Sequence, residues 1–79
     1  MLTKYLNGAL SKAKLEVIDD GQWYGEIPGF DGVWAHAPTE AECRAQLAEV
    51  LEEWVLFRVS RQLDLPAVNG INLVIRKAV

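Results

Sequence analysis

Tyr24-Gly25-Glu26-Ile27-Pro28-Gly29-Phe30-Asp31-Gly32-Val33-Trp34-Ala35, followed shortly by Thr39-Glu40-Ala41-Glu42-Cys43, decides how this chain folds. It carries a strand, a Pro/Gly turn, a second strand and a marked helix start, which are the parts of a compact ββα unit. Pro28 fixes φ and has no N–H to give a ladder, Gly29 and Gly32 accept left-handed backbone, and Asp31 can bond its own neighbouring backbone. Pro28 to Gly32 therefore predicts a bulged reversal, with Gln22 to Ile27 as the strand before it and Val33 to Ala37 as the strand after it. Thr39 and Glu42 make a capping box, in which the threonine oxygen takes an orphan amide of the first helical turn and the glutamate reaches back to the cap amide.

Upstream, residues 3–13 place Tyr5, Leu6, Ala9, Leu10 and Ala13 at helical spacing behind Thr3 as N-cap, predicting a short amphipathic helix. Residues 14–19 then alternate, and Asp20-Gly21 is a hairpin signal because a type I′ turn needs positive φ at both central positions. Downstream, Leu47, Val50, Leu51, Trp54, Phe57 and Arg58 form one stripe of a helix running to about Gln62, with Glu49, Glu52 and Glu53 largely outside it. Asp64, Pro66, Asn69 and Gly70 break the chain, and Ile71, Leu73 and Ile75 alternate with Asn72, Val74 and Arg76 as a last strand. A strand, crossover helix and strand connect right-handedly, which lays the last strand parallel to the first. The expected fold is α+β, one domain over residues 1–79, in the order α-β-β-β-α-β: a three-stranded antiparallel meander, a crossover helix and a fourth strand.

A chain of 79 residues buries a small core and keeps a thin stability margin, so a partner or a second copy is expected to help hold it. Cys43 is the single cysteine, and there is no leader-like or membrane-length apolar run; the expectation is a cytoplasmic protein without disulfides. The net charge of −3 gives no basic footprint for a phosphate backbone and favours a basic protein partner over nucleic acid.

The quoted stretch resembles the HicB family of antitoxins, in which an E-I-P-G type turn leads through a short strand carrying V-W-A to a T-x-E-E type helix. The resemblance extends from the N-terminal helix to Asn69-Gly70. It implies a truncated ribonuclease-H-like core and, as partner, a HicA-like toxin: a small basic ribonuclease, similar to a double-stranded-RNA-binding domain, that degrades mRNA. Many HicB proteins add a DNA-binding module after the last strand. This chain stops at Val79, so the expectation is the short form, without direct DNA contact.

Catalysis is not expected. Ribonuclease-H chemistry needs carboxylates converging on two divalent ions from the first strand, the main helix and the end of the fourth strand. Glu16, Asp19 and Asp20 could serve from the first, but residues 71–77 offer Arg76 and Lys77 instead. Asp19-Asp20 is more simply turn chemistry. His36 ends a short strand without a serine or cysteine beside it, and reads as a partly exposed strand-end histidine rather than an acid–base group. Cys43, in the first helical turn, reads as a buried small hydrophobe, and with no second cysteine neither a metal nor a cofactor site is expected.

The aromatics point to a surface. If Trp23 faces the helix, alternation turns Tyr24 and Glu26 to the other side of the sheet, a face left open unless the N-terminal helix folds across it. Tyr24, Glu26, Phe30, Asp31 and Trp34 are accordingly the expected partner-binding residues. Glu49, Glu52 and Glu53 read either as a solvated helix face or as a second acidic surface for a basic partner. Two functions follow: an antitoxin-type interaction protein that neutralises a HicA-like toxin, or a stand-alone regulatory or small-molecule-binding module without one. A homodimer or higher oligomer is expected in either case.

Overall fold

A computed structural model describes residues 2–68. Helix α1 spans Leu2–Ser11, strands β1, β2 and β3 span Lys14–Val17, Trp23–Glu26 and Trp34–Ala37, and helix α2 spans Glu40–Ser60. The strands form an antiparallel sheet in the order β1-β2-β3. The meander and the two helices are those expected. The fourth strand, with its parallel pairing and the cations Arg76 and Lys77, lies outside the described residues.

Local chemistry sets each boundary. The Glu42 N–H donates to Thr39 Oγ1 at 3.1 Å, so the threonine half of the capping box starts α2. Thr3 is not an N-cap: it sits inside α1, one residue past Leu2. Asp20 and Gly21 adopt φ of 66° and 72°, as the hairpin signal requires. The loop is nevertheless one residue longer than a two-residue hairpin, because the Ile18 N–H donates to the Gln22 carbonyl at 2.7 Å and leaves Asp19–Gly21 outside the pairing. The resulting register sets Leu15 opposite Gly25. A slip of one residue would turn Leu15 to the open face.

The reversal between β2 and β3 consists of two consecutive turns that share Phe30. The Phe30 N–H donates to the Ile27 carbonyl and the Val33 N–H to the Phe30 carbonyl, both at 3.1 Å, with Gly29 and Gly32 at φ of 86° and 91° in the third position of each turn. Ile27, Phe30 and Val33 stand at the corners and are all buried. Phe30, expected on the partner surface, is only 4% exposed, which corrects that expectation. Its ring packs between Tyr5 of α1 and Trp54 of α2, at centroid distances of 6.3 and 5.1 Å. The Trp54 indole N–H donates to the Asp31 carbonyl at 2.9 Å and ties the turn to the helix.

One sheet face is built from small residues, Gly25, Ala35 and Ala37, and α2 lies against it. Cys43, Leu47, Leu51 and Val55, four residues apart, supply the buried side of α2, each aliphatic side chain stabilising by about 2 kcal/mol. Phe57, expected in that stripe, is 54% exposed, whereas Val55 is 1% exposed. Each step of three residues rotates a helix about 60° backwards, so the consecutive steps from Leu51 to Trp54 to Phe57 walk off the buried face. Helix α1 packs against α2 rather than over the other side of the sheet. The Tyr5 hydroxyl donates to the Pro66 carbonyl and so fastens α1 to the segment after α2, where Leu65 and Val68 return to the core.

Helix α2 ends in a Schellman arrangement. The Leu63 N–H reaches the Arg58 carbonyl at 2.8 Å and the Gln62 N–H the Val59 carbonyl at 3.0 Å, with Gln62 at φ of 56°. Glutamine is strained there and glycine is not. Gln62→Gly is expected to raise stability by about 0.5 kcal/mol, the relief of strain exceeding the added chain entropy. A thermal melt that falls instead would contradict this account of the helix end.

Candidate partner-binding face

With Leu15, Gly25 and Ala35 turned toward α2, alternation sends Lys14, Glu16, Tyr24, Glu26, Trp34 and His36 to the opposite face of the sheet. No described helix covers that face, and Trp34 is 55% exposed there. Glu26 stands directly opposite Trp34, and Tyr24 is flanked by Glu16 on one side and His36 on the other.

The Tyr24 ring stacks on Trp34, with centroids 6.3 Å apart and planes 25° from parallel. Its hydroxyl donates to Glu26 Oε1 at 3.0 Å. That hydrogen bond, chiefly, pushes the Tyr24 hydroxyl above its ordinary pKa, because losing the proton would set a phenolate against a carboxylate; desolvation and the nearby Glu26 and Glu16 charges act in the same direction. The aromatic pair and the carboxylate thus form one fixed constellation.

Tyr24, Glu26, Phe30, Asp31 and Trp34 line a shallow depression of about 210 Å³ where the open face meets the double turn. Four of the five expected residues present side chains at the surface; Phe30 instead supports the turn from below. A second depression of about 290 Å³, lined by Lys14, Leu15, Glu16, Tyr24 and Glu26, lies across β1 and β2. Lys14, Glu16 and His36 belong to the same face and were absent from the expected set. Alternation along β1 and β3 carries their signal, since Glu16 has the parity opposite to Leu15 and His36 the parity opposite to Ala35.

The remaining chemistry-bearing side chains do not join the face. Cys43 is fully buried, with Sγ 3.7 Å from the Ala35 carbonyl, and burial raises its thiol pKa. Among the described residues, no three or more His, Cys, Asp or Glu side chains gather in a way that could hold a metal ion. Among the described residues, too, no helix is long and apolar enough to cross a membrane.

Fold and face together define a small α+β domain whose sheet is covered by a helix on one side and, among the described residues, left open, aromatic and partly acidic on the other. A family model described as UPF0150-like matches residues 4–66, and the chain belongs to that family, which is associated with HicB-like toxin–antitoxin proteins. The crystal structure of TTHA0281 from Thermus thermophilus is similar to this chain, with 39% sequence identity, coverage of 96% of this chain and 95% of that one, and a TM-score of 0.89. No curated protein matches. The family suggests a role associated with toxin–antitoxin systems.

Proposed function

We propose that this protein is an antitoxin-type interaction protein that binds a HicA-like, mRNA-degrading toxin through the open sheet face and masks the surface with which that toxin holds RNA. Family membership supports the class of partner. The observation that carries the choice of surface is the uncovered face on which Tyr24, Trp34 and Glu26 are fixed against one another. Stacked aromatics held in place by a hydrogen bond lose little side-chain freedom on binding and supply desolvated anchors. An acidic chain of net charge −3 also attracts a protein that must be basic to hold RNA.

In this reading the protein works in the cytoplasm by stoichiometric binding, without a cofactor, without catalysis and without touching nucleic acid itself. Co-expression with a candidate toxin tests it. Growth arrest should be relieved by the wild-type chain, and failure to relieve arrest by any basic partner toxin removes the antitoxin reading.

Self-association is part of the proposal, since a small core and an aromatic face both favour a second copy. Light scattering at micromolar concentration should report a dimer or larger. A monodisperse monomer would remove this element alone.

A further inference from the structure

A partner that is merely basic could meet the open face through lysine or arginine, and the geometry around Trp34 distinguishes the two. Glu26 and Trp34 are cross-strand partners, which places the carboxylate beside the indole. Glu26 Oε1 is engaged by the Tyr24 hydroxyl at 3.0 Å, which fixes the orientation of the carboxylate while its second oxygen makes no hydrogen bond among the described residues. Lys14 stands opposite Glu26, yet the one ion pair among the described residues is Arg44 with Glu40, on the outer surface of α2. Among the described residues, then, no cation lies within ion-pairing distance of Glu26 or Glu16. Asp31 brings a further carboxylate to the rim of the depression that Trp34 and Glu26 line.

We propose that this recess receives an arginine side chain from the partner protein, the guanidinium plane lying on Trp34 while its N–H groups bond the Glu26 carboxylate. Arginine is the side chain that satisfies both contacts together: its flat, weakly hydrated group stacks on an aromatic face and still presents donors in the plane, directed at a neighbouring carboxylate. A lysine ammonium is compact and strongly hydrated, and gains the charge contact without the stack. The protein already shows the stacking half of this pairing on its other side, where the Arg58 guanidinium lies 4.9 Å from the centre of the Trp54 ring. The inference deepens the antitoxin reading and rests on it for the identity of the partner, but not for the chemistry of the recess.

The test titrates the full chain, labelled with nitrogen-15, with two blocked peptides of equal charge, one of alternating glycine and arginine and one of alternating glycine and lysine, at the same ionic strength. The Trp34 indole N–H resonance should shift with the arginine peptide at a dissociation constant at least threefold lower than with the lysine peptide. Glu26→Gln keeps an acceptor for the Tyr24 hydroxyl and removes the charge; it should erase the preference, whereas Glu49→Gln on α2 should leave it intact. Equal constants for the two peptides, or a preference that survives Glu26→Gln, would overturn the proposal. Absent preference alongside intact neutralisation of a toxin sinks the arginine recess alone. A clear preference in a chain that neutralises nothing supports the recess and sinks only the antitoxin reading.

Discussion

Gly25→Val is expected to destabilise the fold by about 3 kcal/mol, at the upper end of typical overpacking costs. Gly25 lies in the middle of β2 on the face covered by α2, and a β-carbon built there would stand 2.8 Å from Leu47 Cδ1, 3.1 Å from Leu15 Cγ and 3.2 Å from Cys43 Sγ. Leu47 cannot move aside cheaply, because it and Cys43 are fully buried and surrounded by the rest of the core. A close-packed interior converts such an intrusion into backbone displacement, so the helix must lift from the sheet. For a domain of this size the loss corresponds to roughly 15 °C in melting temperature. Gly25→Ala should fall between, since part of its smaller clash is offset by the lower entropy of the unfolded chain. A melt of Gly25→Val within about 3 °C of wild type, less than the shift expected for a single kcal/mol, would show that α2 does not rest on the sheet at this point.

Trp34→Ala and Tyr24→Ala are each expected to weaken binding of a basic toxin partner at least tenfold while leaving the far-ultraviolet circular dichroism unchanged. Both rings lie outside the core, so their removal creates no cavity, yet true aromatic hot spots carry about 2 kcal/mol or more of interface energy. The two losses should not add, because each ring holds the other in place at 6.3 Å. Phe30→Ala is the informative contrast: with Phe30 wedged between Tyr5 and Trp54, truncation should cost about 3 kcal/mol of stability rather than act through the interface. Glu49→Gln or Glu52→Gln, on the exposed side of α2, should at most slow association. Calorimetric titration separates these cases. Full affinity in both aromatic variants would move the binding surface elsewhere without touching the antitoxin class.

Much of the face can be read from residues close in sequence. The alternation that set Trp23 against Tyr24 also distributes Ala35 and Trp34, and the small size of Gly25, Ala35 and Ala37 marks the side on which a helix can approach. The hairpin register was harder. Asp20-Gly21 announces positive φ but not loop length, and only the requirement that Leu15 face α2 selects the three-residue loop.

Features closed within three or four residues were legible in the chain alone: the Thr39 cap, the left-handed glycines of the double turn, the hairpin signal at Asp20-Gly21 and, among the described residues, the order helix, three-stranded meander, helix. Their physics is local hydrogen bonding and backbone sterics, which act wherever the rest of the chain lies. Long-range packing chose which apolar groups count as core. Phe30 turns inward because Tyr5, 25 residues before it, and Trp54, 24 residues after it, close around the corner between its two turns. Phe57 is left outside because the sheet meets α2 along the line through Cys43, Leu47, Leu51 and Val55. The open face arose the same way: α1 gains its burial against α2, with Tyr5 bonded to Pro66, and so leaves Tyr24 and Trp34 without a helix over them among the described residues. Burial depends on contacts between segments far apart in the chain, and no local pattern specifies which of two apolar surfaces a short amphipathic helix will cover.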